Sequence, residues 1–213
     1  MAKKLHAIYI PGLGDENPGR QRMAVRTWRW WGVEAELIQM IWSDATPWED
    51  KFERLLARID ALHAEGKLVG LVAASAGASA AINAYAARKD VIVGVVLLAG
   101  KVNRPQAVGA NYRQKFPSFI ESLDACQPAL ASFSASERGN ILSRYAVYDE
   151  IVDEADSIIP DAVNQKRYIP GHVPLIASQI FFGAPSFLRF LKKTPLNRCS
   201  ILKHSYDTIN TTV

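Results

Sequence analysis

With 213 residues, 49% of them apolar and 22% charged, the chain has the balance of one sizeable water-exposed globular domain. Its net charge of +4 is mildly basic, and the early cluster Arg20, Arg22, Arg26 and Arg29 comes with no recognised nucleic-acid module. That cluster therefore reads as a solvated face, and no nucleic-acid partner is expected. Cys126 and Cys199 are the only cysteines and lie far apart, so neither a disulfide framework nor a structural metal is expected.

Taken in order, the N-terminal "MAKKLHAIYIPG" has two lysines and a very short apolar run before Asp15-Glu16-Asn17. That run is too short for the core of a signal peptide, so a cytoplasmic protein is expected. No apolar run approaches the roughly 20 residues that cross a bilayer, so no membrane span is expected. The run "LHAIYI" (Leu5 to Ile10) reads as a β-strand ended by Pro11-Gly12. "VEAELIQMIW" (Val33 to Trp42) reads as a second strand. Thr46 and Pro47 supply a helix cap and first helical position. The helix that follows repeats apolar residues at Phe52, Leu55, Leu56, Ile59 and Leu62 and stops at Gly66.

"KLVGLVAA" (Lys67 to Ala74) and "VIVGVVLLAG" (Val91 to Gly100) are nearly continuous apolar runs, as expected of strands buried on both faces. Between them "GASAAINAYAAR" is an alanine-rich helix. "RYAVYDE" (Arg144 to Glu150) and "KRYIPG" (Lys166 to Gly171) are shorter strand candidates, and Ser178 to Lys193 reads as a closing helix. The alternation implies a doubly wound, mainly parallel sheet of about six strands with helices on both faces. Residues 1–193 then form one domain, interrupted by a cap-like insertion at 101–142 and followed by a polar tail at 194–213. The five tryptophans at 28, 30, 31, 42 and 48 read as packing around the second strand.

In such sheets the reactive groups gather at the carboxyl ends of strands. One serine, one carboxylate and one histidine fall there in chain order: Ser75, Asp149 and His172. A serine hydroxyl becomes a nucleophile when an imidazole takes its proton, and a carboxylate fixes that imidazole's tautomer. The serine must also stand on a tight turn, and small residues two positions either side, Ala73 and Gly77, permit one. Asp153 rivals Asp149 for the acid, since the loop register is not fixed by the residues alone. Ser79, one turn into the helix, reads as packing, and His6, His63 and His204 sit at less suitable positions.

With these motifs the chain resembles the α/β-hydrolase superfamily. "AASAG" is similar to its nucleophile elbow, G-x-S-x-G, with Ala73 for the first glycine. "VYDEIVD" resembles its acid loop and "IPGHVPLI" its histidine loop. The resemblance runs from about Leu5 to Lys193. It implies Ser75 as nucleophile, Asp149 as orienting acid and His172 as general base. It also makes "PGLGDENPG" the oxyanion loop, with the backbone N–H groups of Leu13 and Ala76 as donors. The activity implied is that of a carboxylesterase-like serine hydrolase acting on an ester or thioester of a small, partly apolar acyl substrate, without metal or organic cofactor. The alternative is a hydrolase-like scaffold without catalysis that serves as a binding or interaction protein. Nucleotide binding by the same glycine-rich loop is a weaker reading, because Pro18 sits where a pyrophosphate-binding helix begins.

Overall fold

A computed structural model describes residues 3–194 of the chain. Most of the polar tail expected at 194–213, with Cys199 and His204, lies outside the described residues. Six strands form one sheet in the order β2-β1-β3-β4-β5-β6, every neighbouring pair parallel. They are β1 (Leu5–Ile10), β2 (Glu34–Leu37), β3 (Leu68–Ala74), β4 (Ile92–Leu98), β5 (Ile141–Ala146) and β6 (Val163–Arg167).

Side chains alternate across this sheet. Ile8, Ile10, Leu71, Ala73, Val95 and Leu97 enter one core, while Ala7, Tyr9, Val72, Ala74, Val96 and Leu98 enter the other. Helices α2 (Trp48–Ala64), α3 (Gly77–Ala87) and α5 (Pro117–Ala131) cover the first face. The second is covered by α1 (Gly19–Arg26) and a closing helix, His172–Thr194. The continuous apolar runs of β3 and β4 follow from burial under both layers. The tryptophans divide between the two cores. Trp28 meets Tyr9 and Phe187 edge-on on one face, while Trp42 stacks on Trp48 on the other; Trp30 and Trp31 are exposed.

Several elements differ from their expected bounds. The second strand stops at Leu37 rather than Trp42, because the amides of Met40, Ile41 and Trp42 leave the ladder and donate to the Asp15 carboxylate instead. Helix α2 begins at Trp48, since Pro47 is extended (ψ 154°) and itself occupies the cap position expected of Thr46. Both β5 and β6 begin three residues before the runs read as strands, with Ile141 and Leu142 set beside Val95 and Val96. Asp149 therefore stands in the loop past β5, and His172 stands beyond the loop that follows β6. The closing helix starts at His172 rather than Ser178, just after a reversal at Gly171 (φ 97°). This 23-residue helix is long and apolar enough to cross a membrane by length and composition, a candidate the run-length reading missed. Here Leu175, Ile180, Phe187 and Leu191 are buried.

The 101–142 segment holds three α-helices: α4 (Ala110–Lys115), α5 and α6 (Ala135–Arg138). Helix α5 is the ordinary crossover between β4 and β5, pinned to α3 where Ser122 meets Ser79 at 2.8 Å and its carbonyl accepts from Asn83. Phe119, Ile120 and Leu123 thus belong to the sheet's core, and only α4 and Phe116 stand over the strand ends.

Candidate active site

Because β1 runs out to β2 on one side while β3 lies on its other side, the carboxyl ends of β1 and β3 flank a switch point. The loop after β1 and the turn after β3 meet there. Ser75 follows β3 with φ 50°, in the left-handed region that a non-glycine residue occupies at a cost of about 1–2 kcal/mol. The turn is held from three sides. The Ser75 N–H donates to the Leu98 carbonyl at 3.0 Å, and the Ser75 carbonyl accepts from Ala78 and Lys101, each at 3.1 Å. Small neighbours are required by contact. A Cβ on Gly77 would stand 2.5 Å from the Ile10 carbonyl oxygen, and one on Gly12 would stand 2.7 Å from the Ser75 Cβ.

His172 is the first residue of the closing helix, and its Nδ1 lies 2.9 Å from Asp149 Oδ2 and 3.1 Å from Oδ1. Both side chains are only 5% exposed. The Asp149 Oδ1 also accepts the N–H groups of Ile151 and Val152, at 2.9 and 2.7 Å. Burial works to raise the Asp149 pKa, but the His172 hydrogen bond and these amides outweigh it, leaving the carboxyl below its ordinary value. The Glu150 carboxylate accepts the His172 backbone N–H at 3.1 Å. With Nδ1 committed to the acid, the tautomer that donates there leaves Nε2 as a base.

The rival acid goes elsewhere. Asp153 caps the short helix α7 (Glu154–Ser157) and pairs with Arg104 at 3.2 Å. Ser79 is fully buried in α3, bonded to Ser122 and to the Ala76 carbonyl. His6 sits at the opposite end of the sheet, 3.7 Å from Glu34 and 3.3 Å from Glu36, and His63 is exposed in the last turn of α2.

Ser75 and His172 line one cavity of about 750 Å³, with Gly12, Leu13 and Gly14 on one side and Tyr112, Lys115 and Phe116 on another. No hydrogen bond joins the serine hydroxyl to the imidazole in this structure. Among the described residues the Leu13 and Ala76 N–H groups have no acceptor; Leu13 lies in the cavity wall and Ala76 at the N-cap of α3. Among these residues there is also no group of three or more His, Cys, Asp and Glu side chains placed to hold a metal.

Three contributors escaped the sequence reading. Asp15 is fully buried and anchors the loop after β1 through its three amide bonds, although the sequence shows it only as one of three polar residues. Tyr9 and Gln21 line the cavity from β1 and α1, and neither carries a sequence signal of its own.

No family model matches this sequence, and no curated protein matches it. Solved structures do resemble it. One of the metagenome-derived lipolytic enzymes LipS and LipT aligns over 91% of this chain and 95% of its own, with a TM-score of 0.65 and 10% identity. Est1E from Butyrivibrio proteoclasticus aligns over 89% and 88%, at 0.61 and 17%. The ydeN gene product of B. subtilis aligns over 90% of this chain and all 100% of its own, at 0.60 and 16%. Identities this low speak to architecture alone. With its parallel six-stranded sheet, helices on both faces and near-complete alignment to such structures, the chain has the fold of the α/β-hydrolase superfamily.

Proposed function

We propose that this chain is a serine hydrolase that cleaves an ester or thioester through an acyl-enzyme. The observation that carries the reading is Ser75, held at φ 50° on the wall of a cavity it shares with His172, whose other ring nitrogen is bound to Asp149. The fold's esterase and lipase relatives lend support, one of them a structure of Est1E with ferulic acid bound.

In the proposed cycle His172 Nε2 takes the Ser75 proton as Oγ attacks the substrate carbonyl carbon. The electron pair moves onto the carbonyl oxygen, which the N–H groups of Leu13 and Ala76 receive. Collapse expels the alcohol or thiol, protonated by His172, and leaves Ser75 acylated. Water, deprotonated by the same imidazole, attacks the acyl carbon and releases the acid, restoring the serine. Asp149 holds the ring and stabilises the imidazolium without taking the proton. The hydroxyl–imidazole bond forms as bound substrate closes the geometry.

Turnover of a small nitrophenyl ester and labelling by a fluorophosphonate test this. Ser75→Ala is expected to abolish labelling and cut kcat by roughly 10⁴-fold or more, and Asp149→Asn by about 10⁴-fold. Asp153→Asn is expected to stay within about twofold of wild type, as suits a helix cap. Equal labelling of wild type and Ser75→Ala would remove the serine from the chemistry.

A further inference from the structure

Two residues that line the cavity carry buried polar atoms with no part in the acyl transfer. Tyr9 is fully buried, and its hydroxyl has no hydrogen-bond partner among the described residues. Gln21, in the first turn of α1, likewise buries its side-chain oxygen Oε1 without a partner. Both residues line the cavity that holds Ser75 and His172. A buried polar group left without a hydrogen bond is destabilising, a penalty that a ligand completing the bond relieves.

Their surroundings define the rest of the ligand. Tyr9 stands opposite Val72 in the β1–β3 register, three residues before Ser75 and so roughly 10 Å down the sheet. Along that path the closing helix contributes Ile176, Ala177, Ile180 and Phe181, all apolar. Ile180 and Phe181 lie on its π-helical turn, Gln179–Gly183, an irregularity frequent where helices meet ligands. Burial pushes the Tyr9 phenol far above its usual pKa, so it stays protonated and able to donate.

We propose that this end of the cavity is a subsite for a hydroxyl carried on an otherwise apolar acyl group, resting on the acyl-transfer reading of Ser75. Tyr9 donates to the substrate's hydroxyl oxygen, and that hydroxyl donates to Gln21 Oε1. A carboxylate there would face the Gln21 oxygen unfavourably, and a ketone would leave that oxygen unpaired. A hydroxyl is the smallest group that satisfies both.

The test compares nitrophenyl octanoate with nitrophenyl ω-hydroxyoctanoate, and phenylpropanoate with its para-hydroxy counterpart. In wild type the hydroxylated member of at least one pair is expected to be preferred about tenfold or more in kcat/KM. Tyr9→Phe and Gln21→Leu are each expected to erase most of that preference. A wild-type ratio near one in both pairs, or a ratio that neither substitution moves, overturns the subsite. Calorimetric titration of Ser75→Ala with ω-hydroxyoctanoic acid against octanoic acid repeats the comparison without turnover. A tenfold difference there sustains the subsite even if Ser75 proves not to be the nucleophile, whereas equal binding overturns it alone. Since Tyr9→Phe removes a hydroxyl with no partner among the described residues, its Tm is expected not to fall. A fall in Tm with an unchanged ratio would mean that a buried water, not substrate, completes the bonds, and would equally overturn the proposal.

Discussion

Ser75 shows how a single dihedral angle ties packing to chemistry. Its φ of 50° turns the chain from β3 into α3 within one residue, and Gly12 and Gly77 make room for that turn by lacking side chains that would strike Ser75 and Ile10. A Cβ at position 75 is therefore strained whatever it carries. Ser75→Gly and Ser75→Ala both delete the hydroxyl, but only glycine adopts this conformation freely. Urea unfolding is expected to place Ser75→Gly about 1 kcal/mol above Ser75→Ala in stability, with both equally inactive. Were alanine the more stable of the two, the turn would carry no strain.

Residue types made some of the candidate site legible. Alanines and glycines around one serine signal a close strand–helix turn, and a histidine following Pro-Gly signals a loop end. The choice between Asp149 and Asp153 was not legible, because both sit in one short acidic loop. The decision lies in tertiary contact: Asp149 reaches His172, while Asp153 turns back to cap α7 and meet Arg104. Tyr9 escaped notice for a different reason. A tyrosine within a β-rich run is indistinguishable from any core aromatic until its hydroxyl is seen to lack a partner among the described residues.

At the scale of elements, runs with a plain period were read correctly, and those whose hydrogen bonds are claimed from outside were not. The strands β3 and β4 and helix α2 are self-evident because their apolar patterns match their burial. The second strand looked more than twice its length because nothing local reveals that Asp15, 25 residues from Met40, captures its amides. The layer of α1 and the closing helix depends on Trp28, fully buried against Tyr9 and Phe187, whose indole N–H donates to the Ile180 carbonyl at 3.0 Å. That carbonyl belongs to the π-helical turn, so the bond also fixes the cavity wall. Trp28→Phe keeps an aromatic ring but removes the donor, with an expected cost of about 1–3 kcal/mol. Amide hydrogen exchange is expected to quicken around residues 179–183 in that variant, with β4 unaffected. Uniform quickening across the whole sheet would contradict a local role for the bond.

For the whole molecule, the lowered Asp149 carboxyl links folding to pH. A carboxyl whose pKa is lower folded than unfolded stabilises the native state once pH exceeds the unfolded value, about 3.9. The contribution vanishes as pH falls through the lower native value. Asp149→Asn removes that dependence. Denaturation curves between roughly pH 2 and 6 are expected to show a shallower acid-side loss of stability in the variant than in wild type. Parallel slopes would show that the Asp149–His172 pair contributes nothing to the linkage. Fold class was the easiest property to read from the sequence, since alternating strands and helices with doubly buried strands permit few arrangements.

The closing helix begins on His172 and also roofs the face of β1, the first strand. Trp28 and the Ile180 carbonyl that it binds are 152 residues apart. On a ribosome adding about 5–20 residues per second, that separation is a wait of roughly 8–30 seconds. Throughout it Tyr9 and Trp28 lack their cover, and the turn at Ser75 is synthesised long before His172 follows. A nascent chain thus carries an uncovered apolar face, so its yield in the cell depends on what shelters that face until translation reaches the helix.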